Sequence, residues 1–141
     1  MNNELLVSIN QALSRINGLY QKWYQKNTIN SYQLQTLNAL YTEPTLSQKE
    51  ISENYQIPAQ TVNNAIKAFE KLGYVELIPD ERDKRWRKIS FTEDGIAFAK
   101  ETVAPLHQLD EAVIARMGKK KYQQLISLLN DYGEALQKET E

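Results

Sequence analysis

The amino-acid sequence predicts a mainly α-helical fold with one small β-wing, and three observations carry that prediction. Long segments at both ends repeat their apolar residues every three or four positions. In the middle stand two short helical signals, each with its own start punctuation. After them the charged stretch Asp80-Glu81-Arg82-Asp83-Lys84-Arg85 lies between apolar segments at 74–78 and 86–91. That reads as two short strands joined by a tight basic turn. Two helices followed by a basic ribbon is the layout of a winged helix-turn-helix lobe, here with long helices on either side.

The first helix carries Leu5, Leu6, Ile9, Leu13, Ile16, Tyr20 and Trp23 on one face and runs to about Lys26, where 27–31 breaks it. A second helix at about 31–41 ends at Glu43-Pro44, because a residue before proline is pushed out of the α region. Ser47 and Glu50 form a capping box that opens a short helix with Ile51 inward. Pro58 then starts the next helix at its first position, where the missing N–H costs nothing. This helix is expected to bury Val62, Ala65, Ile66, Phe69 and Leu72, and Gly73 to cap it.

Beyond the ribbon, Thr92-Glu93-Asp94-Gly95 caps a long helix with Ile96, Ala99, Val103, Leu106, Leu109, Val113, Ile114 and Met117 along one stripe. Pro105 inside it is expected to kink or split it. Gly118 ends it, and a last helix presents Tyr122, Leu125, Ile126, Leu129, Tyr132 and Leu136. The whole, 1–141, reads as one domain: a winged-helix lobe at 31–92 and helical segments at 1–26 and 93–141.

Composition narrows the function classes. The 141 residues are long enough to bury a core, and no apolar run suits a transmembrane span. No signal peptide is read at the start, and a cytoplasmic location is expected. Cysteine is absent, which removes thiolate metal sites and thiol sensing, and His107 is the sole histidine, so no metal and no cofactor are expected. Neither a nucleophile–base pair nor a glycine-rich phosphate loop can be argued from spacing, so an enzyme is not expected. The net charge of −1 is unpromising for a nucleic-acid binder. Its distribution is better: 67–88 holds seven basic against five acidic residues, while the rest holds ten against thirteen.

The helix after Pro58 offers a reading face. Gln60, Asn64, Lys67 and Lys71 lie opposite its buried stripe, with Thr61 and Asn63 beside them. Gln and Asn can pair bidentately with adenine, Lys can reach guanine, and Thr can touch a thymine methyl or a phosphate. Any amphipathic helix has a polar outer face. Asn and Thr, however, are poor helix formers at a helix start that only needs solvating. In the ribbon Arg82 is placed at a minor groove, where the potential is most negative. Asp80 and Asp83 are expected to pair with Arg85 and hold the turn. Arg87 and Lys88 are then phosphate contacts or solvated strand residues, Lys84 and Arg85 of the turn are further DNA-binding candidates, and Trp86 packs beneath the wing. A charged hairpin turn alone is most often a solvated loop; its place after the two-helix pattern is what favours a wing.

These residues together resemble the MarR family of winged-helix regulators, over nearly the whole length. The most specific part is Asp80-x-Arg82-Asp83-x-Arg85 followed by Ile89-Ser90-Phe91-Thr92-x-x-Gly95, with Leu72-Gly73-Tyr74-Val75 as the helix-to-wing junction. The resemblance implies a transcriptional regulator, usually a repressor. It implies a homodimer on a pseudo-palindromic double-stranded DNA operator, intertwined through the first and last two helices. It further implies release by a small aromatic or phenolic ligand, for which Tyr20, Trp23, Tyr24 and Tyr32, with Tyr41 nearby, are the candidate contacts. Aromatic residues at helical spacing are more often packing residues. A winged helix that binds protein rather than DNA is the alternative, separated by the steep salt dependence that DNA binding shows.

Overall fold

A computed structural model of the chain describes residues 3–26, 29–83, 85 and 87–141, with Leu6 and Val7 described in backbone only. The expectations for Leu6, for the break at Asn27-Thr28, for Lys84 and for Trp86 therefore fall outside the described residues. Among the described residues, six helices and a two-stranded antiparallel ribbon follow in the order α1 (Asn3–Tyr24), α2 (Ser31–Thr42), α3 (Gln48–Tyr55), α4 (Ala59–Lys71), β1 (Val75–Pro79), β2 (Arg87–Phe91), α5 (Glu93–Met117) and α6 (Lys119–Thr140). The chain divides into two compact units, Met1–Thr102 and Val103–Glu141.

Local chemistry explains the boundaries in the first unit. The Asn30 side chain accepts from the Gln33 N–H at 2.8 Å and starts α2. Ser47 and Glu50 exchange both bonds of the capping box, each at 3.1 Å, and start α3. Gln56, at φ 51°, turns the chain out of α3 in the left-handed region. Pro58 sits one position earlier than expected, as the N-cap of α4 rather than its first residue. Its ψ of 136° is extended, and its carbonyl accepts from Thr61 and Val62.

Helix α4 ends in a Schellman turn: the Tyr74 N–H reaches the Phe69 carbonyl at 2.9 Å and the Gly73 N–H reaches Glu70 at 3.0 Å. Gly73 takes φ 80°, which glycine adopts without a β-carbon penalty. Leu72, expected inside, is the C-cap and is 64% exposed, because the apolar stripe stops where the helix turns out of its cylinder.

The core of this unit is built from α2, α3 and α4 and closed by the ribbon. Leu34, Leu37, Leu40, Ile51, Ile66 and Phe69 are its largest fully buried side chains. Val75 and Ile89 cover it from the ribbon, whose register pairs Leu77 with Ile89 and Ile78 with Lys88. Thr36 is also fully buried, and its hydroxyl has no hydrogen-bond partner. The Thr92 hydroxyl donates to the Gly73 carbonyl at 2.6 Å and accepts from the Gly95 N–H at 3.0 Å, which ties the end of α4 to the start of α5. A β-carbon at Gly95 would overlap the Tyr74 carbonyl, so this position admits glycine alone without backbone movement.

Helix α5 runs unbroken through Pro105, so the expected split does not occur. Ala99, Val103 and Leu106 are buried as the stripe predicts, but Ile96 is 53% exposed and Val113 is exposed. Helix α6 has no buried residue at all. Its predicted apolar stripe is present in spacing but faces solvent, as do Leu5, Leu13, Ile16 and Leu19 of α1.

Candidate nucleic-acid interface

The outer face of α4 presents the predicted row. Gln60, Asn64, Lys67 and Lys71 are exposed, and Thr61 and Asn63 are half-buried beside them. The Gln60 side-chain amide donates to the Asn64 side-chain carbonyl at 2.9 Å. This bond spans one helical turn and fixes both amides relative to the helix. The Gln60 carbonyl oxygen and the Asn64 amide protons take no part in this bond, an acceptor and a donor set suited to a base edge.

The ribbon's turn is held by two carboxylates, each serving the arginine two residues on. Asp80 accepts the Arg82 backbone N–H at 2.8 Å, and the Arg82 Nε stands 3.7 Å from the same oxygen. Asp83 accepts the Arg85 backbone N–H at 3.1 Å and takes its guanidinium in a fork, through Nε at 3.1 Å and a terminal nitrogen at 2.9 Å. The hydrogen bond to Asp83 raises the Arg85 pKa above its already high ordinary value. Asp83 thus pairs with Arg85 as expected, but Asp80 does not. It lies beside Arg82, because an aspartate reaches its own chain two residues on more readily than across the turn.

The two arginines therefore differ. Both side chains are almost fully exposed, at 89% for Arg82 and 87% for Arg85. Arg85 is engaged in a two-bond fork that fixes the turn, whereas Arg82 has one long ion contact. Arg87 and Lys88 follow, exposed, on β2.

A cleft of 730 Å³ that sequence reasoning did not anticipate lies between the start of α3 and the ribbon. Ser47, Gln48 and Lys49 line one wall, and Arg82, Arg87 and Lys88 line the other. The capping box marks this helix start in the sequence, but only the fold brings it opposite the wing.

The aromatic residues of α1 are half-buried and engage one another. Tyr20 stacks on Tyr24 at 6.0 Å, and Trp23 meets Tyr24 edge-on at 5.6 Å, while Tyr32 is exposed. Tyr41 instead lines a separate, smaller cleft at the end of α2. Among the described residues, no group of three or more His, Cys, Asp or Glu could hold a metal ion. No described helix is long and apolar enough to cross a membrane.

Known proteins share this architecture. Residues 28–85 match the model of the MarR family. The chain is 25% identical over 93 residues to the uncharacterized HTH-type transcriptional regulator YybA of Bacillus subtilis, a match covering 66% of this chain and 62% of that protein. Among solved structures it is similar to NMB1585, a MarR family regulator from Neisseria meningitidis. The TM-score is 0.84 at 29% identity, covering 98% of this chain and 96% of the other. It also matches the S. aureus MepR–DNA complex in fold, with a TM-score of 0.65 at 18% identity over 96% of both chains.

Proposed function

We propose that this chain, a member of the MarR family of winged-helix regulators, binds double-stranded DNA sequence-specifically and represses transcription as a homodimer. The observation that carries the reading is the pairing of two different contact surfaces on one small lobe. One is a helix face whose amides are preset for base edges, and the other is a ribbon tip with an extended arginine. In helix-turn-helix docking the second helix enters the major groove, its early residues on the bases. Gln60, Thr61, Asn63 and Asn64 occupy that part of α4. Lys67 then reaches the flanking backbone, Arg82 the adjacent minor groove, and Arg85, Arg87 and Lys84 the phosphates beside it.

Residues 31–92 act as the DNA-binding lobe, and 1–26 and 93–141 as the dimerisation region. Supporting this division, α1 and α6 keep apolar residues exposed at helical spacing, among them Leu13, Ile16 and Leu19 in the first and Leu125, Ile126 and Leu129 in the last. A twofold dimer presents two such lobes and reads a pseudo-palindromic operator, its half-sites about one helical turn apart. Release by a small aromatic ligand belongs to the same reading, with Tyr20, Trp23, Tyr24 and Tyr32 as its proposed contacts.

The test is a titration of the full-length protein against the DNA flanking its own coding sequence, over a series of salt concentrations with competitor DNA. Saturable, competitor-resistant binding that weakens with salt is expected, with log K falling at a slope of about −0.9 per phosphate neutralised. Weak binding that competitor DNA removes at every salt concentration would instead favour a winged helix that binds protein.

A further inference from the structure

The polar face of α4 opens with two amides that are bonded to each other. The Gln60 side-chain amide donates to the Asn64 side-chain carbonyl at 2.9 Å, and both residues are exposed. Four residues of helix advance about 6 Å, whereas neighbouring base pairs stand about 3.4 Å apart along DNA. Amides acting separately one turn apart would therefore meet base pairs about two steps apart. The bond instead draws the two side chains into one group.

This group has a defined chemical pattern. Gln60 keeps its carbonyl oxygen, an acceptor, and Asn64 keeps its amide protons, which are donors. Exchanging the oxygen and nitrogen ends of both amides reverses the bond and again leaves an acceptor on one residue and a donor on the other. Among single bases, adenine alone offers the complement in the major groove, an N6 donor beside an N7 acceptor. Guanine offers two acceptors, cytosine one donor, and thymine one acceptor and a methyl group. Charge leaves the approach open, because from Ala59 to Phe69 the helix carries no acid and its one charged residue is Lys67. An amide pair one turn apart also firms a helix slightly, but Asn is a poor helix former and Glu or Lys at position 64 would serve that end better.

We infer that Gln60 and Asn64 act as one reading group for a single adenine in each operator half-site, Gln60 accepting from N6–H and Asn64 donating to N7. The bond between them sets both atoms before DNA arrives, so loss of either residue disables the pair. Independent readers would each keep a base pair of their own. The inference rests on the reading of α4 as the helix that enters the major groove.

The experiment selects sites from a random double-stranded library with the full-length wild type, Gln60→Ala, Asn64→Ala, the double variant and Asn64→Asp. Circular dichroism and sedimentation first verify that each variant is folded and assembled as the wild type. The wild type is expected to fix an A·T pair at one position of each half-site. Anisotropy titrations then compare the selected site with one carrying G·C at that position in one half-site. The change should cost the wild type about tenfold, the scale of one mismatched base pair. It should cost each alanine variant and the double variant less than about twofold, at that same position and without additivity. Asn64→Asp keeps an oxygen for the Gln60 amide but has no proton to donate, so the helix pair survives while the preference for adenine is lost. Replacing that adenine by its 7-deaza analogue, which lacks the N7 acceptor, should weaken the wild type and leave Asn64→Ala unaffected.

Alanine variants that relax two different positions would make the residues independent readers and overturn the pair. Variants that select the wild-type site unchanged, or a G·C pair fixed at the shared position, would overturn it as well. An adenine preference that survives Asn64→Asp would reduce the bond to a support of the helix. Enrichment of no sequence at all by the wild type would overturn the sequence-specific reading itself, and this inference with it.

Discussion

Leu40 in α2 and Leu129 in α6 are the same residue in the same secondary structure, yet the first is 1% exposed and the second 39%. Around Leu40 the chain supplies its own cover: α3 and α4 pack against the inner face of α2. Leu129 lies on a helix, α6, that keeps no buried residue along 22 positions. Helical periodicity writes both stripes in the same way, because spacing specifies a face and not what meets it. The winged lobe is thus stabilised by its own core, whereas the apolar face of α6 is the surface that the proposed dimer would cover. Stability of the lobe and stability of the assembly should therefore respond to different substitutions.

The comparison breaks most severely at Phe69, which is fully buried in α4. Phe69→Ala is expected to destabilise the lobe by about 3–5 kcal/mol, read as a fall in the denaturant midpoint. The paired change Ile126→Asp with Leu129→Asp should do the reverse. The lobe stays folded by circular dichroism, while sedimentation shows a monomer and the melting temperature loses its dependence on protein concentration. A dimer that survives both aspartates would place the assembly surface elsewhere. Within the lobe, Gln60→Ala is expected to leave stability nearly unchanged and to relax base preference at one operator position, at about 1–3 kcal/mol. A uniform loss over all sequences would make Gln60 a backbone contact. Smallest is Ser47→Ala, which removes the α3 cap and should cost about 1 kcal/mol by chemical denaturation.

Local chemistry was the legible part of the sequence. Ser47 and Glu50 show their capping box because both partners lie within one turn, and Gly73 marks the end of α4 for the same reason. The polar row on α4 follows from the 3.6-residue period alone. Contacts that the fold makes between distant segments were not legible. Gly95 reads as part of a helix start, yet what demands glycine there is the Tyr74 carbonyl, brought close by the Thr92 latch. The cleft between the start of α3 and the ribbon likewise joins segments far apart in the chain. Spacing did not foresee that Asp80 would serve Arg82 rather than Arg85, because turn geometry decides which guanidinium a carboxylate meets. Ile96 and Leu72 fit their stripes but lie at helix ends, where a periodic pattern outlasts the surface that could cover it.

The two wing arginines give the most direct test of the central claim, that the lobe reads DNA through α4 and the ribbon together. The measurement is fluorescence anisotropy on the operator DNA with wild type, Arg82→Ala and Arg85→Ala, each first verified as an intact dimer. Arg82, held by one long contact, is predicted to lose at least about tenfold in affinity on truncation, the scale of a lost groove contact. Arg85, whose guanidinium is occupied by Asp83, is predicted to lose less. Unchanged affinity in Arg82→Ala would contradict the assignment of the ribbon to DNA.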